Sequence, residues 1–337
     1  MTDPFLSLGD VLIVIPCLDE EAHLPELLDR LIADAPAATI VVADGGSRDA
    51  SRDIVTRGAA SHPGLHLLDN PRRIQSAGVN LAVRRFGRGR RWLVRVDAHC
   101  QYPQDFVAGL VQAAQEHDAT SVVVPMRTTG TGCFQQAAAA AQNSKLGTGG
   151  SAHRHLGIGQ FVDHGHHALM RIDAFTAAGG YCEAMVTNED AELDHRLHMG
   201  GGRIWLEPAL AIDYFPRRDP IALFRQYRRY GTGRAMTILR HRMRPKPRQM
   251  APLVIVPAVL LAAVAPLVSA WLALPMAAWA LVALAYGALL GLRGRSRCTS
   301  LAGVAAMTMH LGWSFGFWRQ WLFGAPMPPA PQPLALD

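Results

Sequence analysis

Up to about Gln249 the chain alternates short apolar runs with charged amphipathic stretches, whereas no charged residue occurs between Pro252 and Leu292. Val11 to Ile15 is a β-branched apolar run closed by Pro16, the pattern of a strand buried on both faces. Glu20 to Asp34 then places Leu24, Leu27, Leu28 and Leu31 at helical spacing, and Thr39 to Ala43 predicts a second strand ending at Asp44. The alternation continues with a helix from a Ser47 cap to about Arg57, a strand at His66 to Leu68, a helix at Ile74 to Arg85 and a strand at Trp92 to Val96. Ser121 to Pro125 reads as a later strand, Asp190 to Met199 as a helix, Ile204 to Leu206 as a strand and Pro220 to His241 as a basic amphipathic helix. Strands alternating with helices imply a doubly wound, mostly parallel α/β sheet with helices on both faces.

Pro252 to Ser269 and Trp271 to Leu292 are each about long enough to cross a hydrocarbon layer, which takes roughly 20 residues per helix. They predict a helical hairpin. Leu301 to Phe323 is apolar but carries His310, Arg319 and several aromatics, so it reads as a third span or an interfacial helix. The expected organisation is therefore a globular domain over residues 1–249, a membrane part over 250–325 and a flexible Pro-rich tail over 326–337.

Half of the 337 residues are hydrophobic, enough for a sizeable core, and the formal net charge is +6 at pH 7. The Arg clusters at 225–248 and 293–297 flank the apolar region, where cytoplasmic loops of membrane proteins concentrate Lys and Arg. Membrane therefore accounts for the charge better than nucleic acid. Cys17, Cys100, Cys133, Cys182 and Cys298 are widely spaced, odd in number and without a C-x-x-C pair, so neither a disulfide framework nor a zinc site is expected. A reduced cytosolic globular part fits this usage, and no secretory signal is visible at the N-terminus.

Ligands of doubly wound sheets bind beyond the carboxyl ends of the strands, and Asp19, Asp44 and Asp97 all fall just after strand ends. Asp97 in "RVDAH" could ligate a hard cation with His99 on the same side, or cap the next turn. Asp44 in "DGGSRD" could contact a base or ribose, since Gly45 and Gly46 let backbone approach a flat ligand; the alternative is an ordinary strand-to-helix turn. Asp19, Glu20 and Glu21 could equally be a solvated helix start. Glu189 and Asp190 open a helix, whose dipole keeps a carboxylate ionised and available as a base. Gln226, Arg229 and Tyr230 of "RQYRRYG" could contact sugar and phosphate or lie on anionic lipid. His153, His155, His164, His166 and His167 form a dense group without an H-E-x-x-H pattern; His166 or His167 could contact a diphosphate. The stretch from Gly147 to Gly165 reads as a loop over the site.

Taken together, "VIPCLDEE", "VVADGGSRD", "NPRRIQSAGVN", "RVDAHC", "TNEDAELDHRL" and "QYRRYG" occur in the order found in family-2 glycosyltransferases, and the chain resembles that family. More narrowly, "VDAHCQYP", "AAAQNSKLGTGGSAHR", "FVDHGHHA" and "NEDAELDHRL" resemble the ExoA type of glucosyltransferase from bacterial succinoglycan biosynthesis. The resemblance implies a GT-A fold, a UDP-sugar donor, a Mg2+ or Mn2+ ion and inversion at the anomeric carbon. It implies that Asp19 and Asp44 hold the nucleoside, with Pro16, Glu21, Arg73 and Gln75 also on the donor side. Asp97 would hold the metal, Asp190 would be the base with Glu189 beside it, and Gln226 with Arg229 would border acceptor and diphosphate. His99 stands where the family's metal motif has a second Asp, and Tyr230 where a Trp is common.

The implied reaction moves glucose onto a polyprenyl-diphosphate-linked saccharide in exopolysaccharide assembly. Its expected setting is the bacterial inner membrane, with the catalytic domain cytoplasmic. A processive polysaccharide synthase would need more spans for a secreting pore. A nucleotidyltransferase would open on a Gly-rich basic loop rather than the acidic "IPCLDEE". A noncatalytic sugar-nucleotide binder would bind without turnover.

Overall fold

The computed structural model describes residues 8–149, 157–245, 247–325, 327 and 329–337. In chain order the elements begin with β1 (Val11–Cys17), α1 (Leu24–Asp34), β2 (Thr39–Asp44), α2 (Ser51–Ser61), β3 (Leu65–Asp69), α3 (Gln75–Phe86) and β4 (Trp92–Arg95). They continue with α4 (Phe106–Glu116), β5 (Ser121–Val124), β6 (Met126–Thr128), α5 (Cys133–Gln142), α6 (Lys145–Thr148), β7 (Gln160–Phe161), β8 (His166–Arg171) and α7 (Ile172–Ala177). After these come α8 (Glu189–Met199), β9 (Ile204–Leu206), β10 (Ile212–Tyr214), α9 (Pro220–His241), α10 (Pro247–Leu253), α11 (Ile255–Val268), α12 (Leu274–Arg293), α13 (Arg297–Ser300) and α14 (Ala302–Phe323).

The chain divides into two compact units. The first is drawn from the described residues of Met1–Met126, Leu156–Ile212 and Pro329–Asp337, the second from those of Arg127–His155 and Asp213–Pro328. The first unit is built on an eight-stranded sheet in the order β3-β2-β1-β4-β8-β5-β9-β7. β1 pairs in parallel with β2 and β4, β2 with β3, and β5 with β9. β8 runs antiparallel between β4 and β5, and β7 is antiparallel to β9. The sheet is thus mostly parallel, as expected, but mixed. β8 was not foreseen because "HHALMR" contains no β-branched residue, and its strand character comes from the two neighbours it joins.

The buried positions follow the hydrophobic pattern. Leu24, Leu27, Leu28 and Leu31 of α1 are all buried, and every residue of β2 is buried. One side of the core gathers Val14, Val41, Leu68, Val79, Val83, Leu93, Met170, Phe175, Leu193 and Leu197. Leu193 and Leu197 are the apolar face of α8, so this packing sets the position of the helix that starts with Glu189 and Asp190.

Residues 329–337, expected as a free end, belong to the first unit. The Leu334 amide donates to Thr176 O at 2.8 Å and the Asp337 amide to Arg84 O at 2.9 Å. The Leu334 side chain is 8% exposed within the cluster that holds Leu193. A buried leucine among other apolar side chains outweighs the Pro-rich composition that suggested disorder.

In the second unit α9 and α14 meet through small residues. Gly231 faces Trp313 O, Gly312 faces Phe224 O and Gly316 faces Arg228 O, so closely that a Cβ at any of them would collide with backbone. This packing groups α9 with the apolar helices in the second unit. Ala137, Ala138 and Ala141 of α5 pack with Leu223, Ala305 and Met309 in the same core. Cys133 and Cys298 form a disulfide there, contrary to the expectation of none; a separation of 165 residues gave no local signal for it. Among the described residues two helical stretches, Met250–Val268 and Ala270–Arg293, are long and apolar enough to cross a membrane. Only 17% and 11% of their most apolar windows are buried within the protein, unlike the core helix of a soluble domain. α14, the expected candidate for a third span, is not among them.

The tail can be tested directly. Leu334→Ala removes a buried leucyl side chain and should cost about 2–5 kcal/mol by the usual range for such truncations, read as a lower melting temperature of the detergent-solubilised full chain. An unchanged melting temperature would show that the tail does not contribute to the first unit's core.

Candidate active site

The carboxyl ends of β1, β2 and β4 carry the acidic residues singled out in the sequence, and each is held by a turn. Asp19 has a left-handed backbone with φ of 55°. Its amide donates to Ser47 Oγ at 2.9 Å and its Oδ1 accepts from the Arg48 amide at 2.8 Å. The Glu21 amide donates to Asp49 Oδ2 at 2.9 Å, and Glu21 Oε2 accepts from the Ala50 amide at 2.8 Å. These bonds zip the loop after β1 to the loop after β2. Asp19 and Glu21 therefore order these two loops through contacts with backbone amides.

Asp44, 1% exposed, accepts from the Gly46 amide at 3.0 Å, from Ser47 Oγ at 2.5 Å and from Arg52 Nη1 at 2.6 Å. Burial alone would raise its pKa, but the Ser47 and Arg52 hydrogen bonds hold the carboxyl below its ordinary value. Its two oxygens are taken up in the turn, so the turn-forming alternative describes this structure. Ser47, expected as a helix cap, serves Asp44 instead, and α2 starts at Ser51. Gly46 adopts φ of 89°, and a Cβ there would stand 3.6 Å from the Arg73 guanidinium, which places exposed Arg73 over this turn. Pro16 pairs with Ala43 in the adjoining strands.

Beyond β4 lies the second group. Gln75 Nε2 donates to Asp97 Oδ1 at 3.0 Å, and Tyr102 Oη accepts from the Asp97 amide at 2.7 Å. His166 Nε2 lies 3.5 Å from Asp97 Oδ2. Arg95 comes from the same strand two residues earlier and is buried; its Nη2 is 3.5 Å from Asp97 Oδ1 and its Nη1 is 2.5 Å from Asp190 Oδ1. One guanidinium thus joins a carboxylate after β4 to one at the start of α8. Burial would raise Asp190, but Arg95, His167 and His166 outweigh it and hold the carboxyl well below its ordinary value. Burial, then the Asp190 charge, pushes neighbouring Glu189 up.

β8 supplies two imidazoles. Its pairing with β5 slips by one residue between Val122 and Val123, a bulge that re-aims side chains next to a site. His166 turns to Asp97, and burial drives its pKa down to about 4, so the ring is neutral. His167 is fully buried, with Nδ1 2.7 Å from Tyr181 Oη and Nε2 2.6 Å from Asp194 Oδ1. It also stands 3.5 Å from Asp190 Oδ1. The expected direct contact of His167 with a diphosphate is therefore replaced by support of α8 from inside. His153 and His155 lie outside the described residues, as do the other residues of 150–156 in the loop expected over the site.

No group of three or more His, Cys, Asp and Glu among the described residues is arranged to hold a metal ion. His99, expected as the second metal ligand, has Nδ1 3.0 Å from Glu20 Oε1. The carboxylate of Asp97 and the neutral Nε2 of His166 still form a mixed oxygen and nitrogen donor pair, which suits Mg2+ or Mn2+ when further oxygens come from a diphosphate. Gln226, Arg229 and Tyr230 lie on α9 in the second unit, where Gln226 Nε2 donates to Tyr214 Oη at 2.8 Å and Tyr230 Oη at 2.9 Å.

Comparison with known proteins matches residues 12–178 to the family model for glycosyl transferase family 2. The chain is 48% identical over 325 residues to the succinoglycan biosynthesis protein ExoA of Rhizobium meliloti, covering 96% of this chain and 98% of that protein. The chain belongs to glycosyl transferase family 2. This family 2 glycosyltransferase is also 35% identical over 119 residues to the undecaprenyl-phosphate 4-deoxy-4-formamido-L-arabinose transferase of Shewanella sediminis, covering 34% of this chain and 36% of that one. Its fold is shared with a mannosyltransferase from Pyrobaculum calidifontis solved with GDP-mannose and Mn2+, at a TM-score of 0.57 and 20% identity over 90% of this chain and 86% of that one.

Sequence reasoning missed Arg95, Tyr181 and Asp194 in the candidate site. Arg95 carried a signal, because a charged residue inside a strand that is otherwise apolar on both faces must find a partner when buried. Asp194 carried a weaker one, four residues after Asp190 on the same helical face. Tyr181 carried none that spacing reveals.

The depressed His166 pKa has a defined consequence for stability. Its folded value, about 4, lies below the ordinary 6.5, so between these pH values the unfolded chain binds a proton that the folded chain refuses. Stability should therefore fall as pH drops from 6.5 to 4, by up to about 3 kcal/mol from this group. Glu189 works oppositely, since its raised folded pKa favours the folded state on acidification. Comparison of His166→Gln with the unaltered chain isolates the first effect. Melts at pH 7 and pH 4.5 should show the smaller acid loss in His166→Gln, and equal losses would contradict the placement of His166.

Proposed function

We propose that this glycosyltransferase transfers a sugar, glucose in the first instance, from a UDP-sugar to a lipid-diphosphate-linked saccharide during exopolysaccharide assembly, with inversion at the anomeric carbon. The observation that carries the mechanism is the pair of carboxylates, Asp97 and Asp190, held on one buried Arg95 at the carboxyl end of the sheet. The exopolysaccharide setting is supported by the relative of 48% identity named for succinoglycan biosynthesis, and the lipid carrier by relatives named as undecaprenyl-phosphate transferases.

In this reading the loops after β1 and β2, tied by Asp19, Glu21, Asp44 and Ser47, receive the nucleoside. Arg73 faces the diphosphate from above Gly46. Asp97 and His166 would hold a divalent cation, which would supply positive charge to the diphosphate leaving group. Asp190 accepts the proton of an acceptor hydroxyl as its oxygen attacks the anomeric carbon. The bond from that carbon to the diphosphate oxygen breaks on the opposite face, and the electron pair leaves with UDP. The low pKa of Asp190 keeps it ionised at neutral pH, ready to take the proton.

The two exposed apolar helices suit a substrate that never leaves the bilayer, because anchoring enzyme and acceptor in one membrane raises their effective concentration. The setting we infer is the inner membrane, with the catalytic unit on the cytoplasmic side where nucleotide sugars are made.

Membranes containing the full chain, supplied with labelled UDP-sugars and native lipid extract, should yield a lipid-linked product carrying the sugar, identified by mass spectrometry and linkage analysis. Asp190→Asn should lower the rate at least about 1,000-fold, in the range lost when an essential proton acceptor is removed. Transfer at the original rate by that variant would remove the base from the scheme. Chelation of divalent cations should also stop transfer and adding back Mn2+ or Mg2+ should restore it; full activity in the chelator would exclude the cation.

A further inference from the structure

Arg95 is in the wrong place to touch a substrate and in the right place to govern one that does. Its side chain is 4% exposed. Nη1 lies 2.5 Å from Asp190 Oδ1 and 3.2 Å from Tyr181 Oη, Nη2 lies 3.5 Å from Asp97 Oδ1, and the guanidinium carbon stands 5.8 Å from the centre of the Tyr181 ring. Its Nε is buried with no hydrogen-bond partner. A guanidinium taken out of water with one donor unmet is a poor device for stability, since its lost hydration is not fully replaced.

The pattern of contacts on Asp190 is one-sided. Arg95 and His167 both approach Oδ1. Among the described residues no side chain or amide is bonded to Oδ2, and Asp190 keeps 20% of its side-chain surface exposed. Oδ2 is therefore the oxygen available to an incoming hydroxyl. Tyr181 is itself fixed: its amide donates to Asn80 Oδ1 at 2.8 Å and its carbonyl accepts from Asn80 Nδ2 at 2.9 Å, which ties the clamp to α3.

We propose that Arg95 is a positioning residue of the transfer: its fork holds Asp190 by Oδ1 at a fixed place relative to Asp97, so that Oδ2 meets the acceptor hydroxyl in line with the donor. This deepens the reading of Asp190 as the base and rests on it. A planar fork reaches two carboxylates from one centre, while the lysine ammonium is a point charge that reaches one well. The two substitutions therefore separate charge from geometry.

The test uses the full chain, UDP-glucose and native lipid extract, with UDP calorimetry alongside. Arg95→Met should lower kcat by about 100-fold, the scale lost when one preorganised hydrogen-bond donor is removed from a site. The KM for UDP-glucose and the Kd for UDP should stay within about threefold, and Arg95→Lys should recover about tenfold of the lost kcat. If Arg95→Met does not fold, Arg95→Lys and Arg95→Gln carry the comparison, with the lysine variant expected to be the faster.

Three results would overturn the proposal: a UDP Kd weakened tenfold or more with kcat unchanged, which makes Arg95 a donor-binding group; a melting temperature, KM and kcat that fall together with no recovery by lysine, which makes it structural only; or unaltered kcat in Arg95→Met. Full activity in Asp190→Asn would instead sink the base assignment. An inactive Asp190→Asn beside a fully active Arg95→Met would sink the positioning role alone.

Discussion

The carboxyl end of the sheet depends on a buried positive charge shared between two carboxylates from distant parts of the chain. Arg95 leaves water only because Asp190 and Asp97 are there to meet it, and Asp190 stays ionised in a largely enclosed place because Arg95 is there. Removing either partner would strand the other in a low-dielectric setting, which is why such a pair locks geometry more surely than it adds stability. Most of the sheet around it can be seen as a frame that brings the end of β4 to the start of α8.

Two features of the frame make this meeting possible. β8 inserts antiparallel between β4 and β5, and its bulge turns His166 toward Asp97 while His167 reaches Tyr181 and Asp194. The apolar face of α8 packs through Leu193 and Leu197 into a cluster that also receives Leu334 from the far end of the chain. The position of Asp190 thus rests on contacts from residues nearly 150 positions away in sequence, a dependence that a truncation after Gln249 would destroy together with the apolar helices. Loss of activity in such a truncation would consequently report on both.

The second unit follows a different packing rule. Glycines on α9 and α14 let two backbones approach so closely that carbonyls face the bare Cα positions, the mode by which helices associate where the hydrophobic effect offers little. The exposed faces of Met250–Val268 and Ala270–Arg293 fit that environment.

Much of this was legible in sequence, and the limits have a physical cause. The β-branched runs at Val11, Thr39 and Trp92, the leucine spacing of α1 and the uncharged stretch from Pro252 to Leu292 determined the strands, helices and apolar hairpin, because periodicity and transfer energy act locally. The ordered acidic motifs likewise pointed to Asp97 and Asp190. Tertiary structure alone decided that Asp44 would spend its oxygens on its own turn and Arg52, that His99 would meet Glu20, that Cys133 would reach Cys298, and that the Pro-rich end would dock. It also decided that Arg95 would pair with Asp190. Hydrogen bonds, disulfides and buried charge pairs are settled by which groups arrive within about 3 Å of each other in space, and spacing along the chain does not encode that arrival.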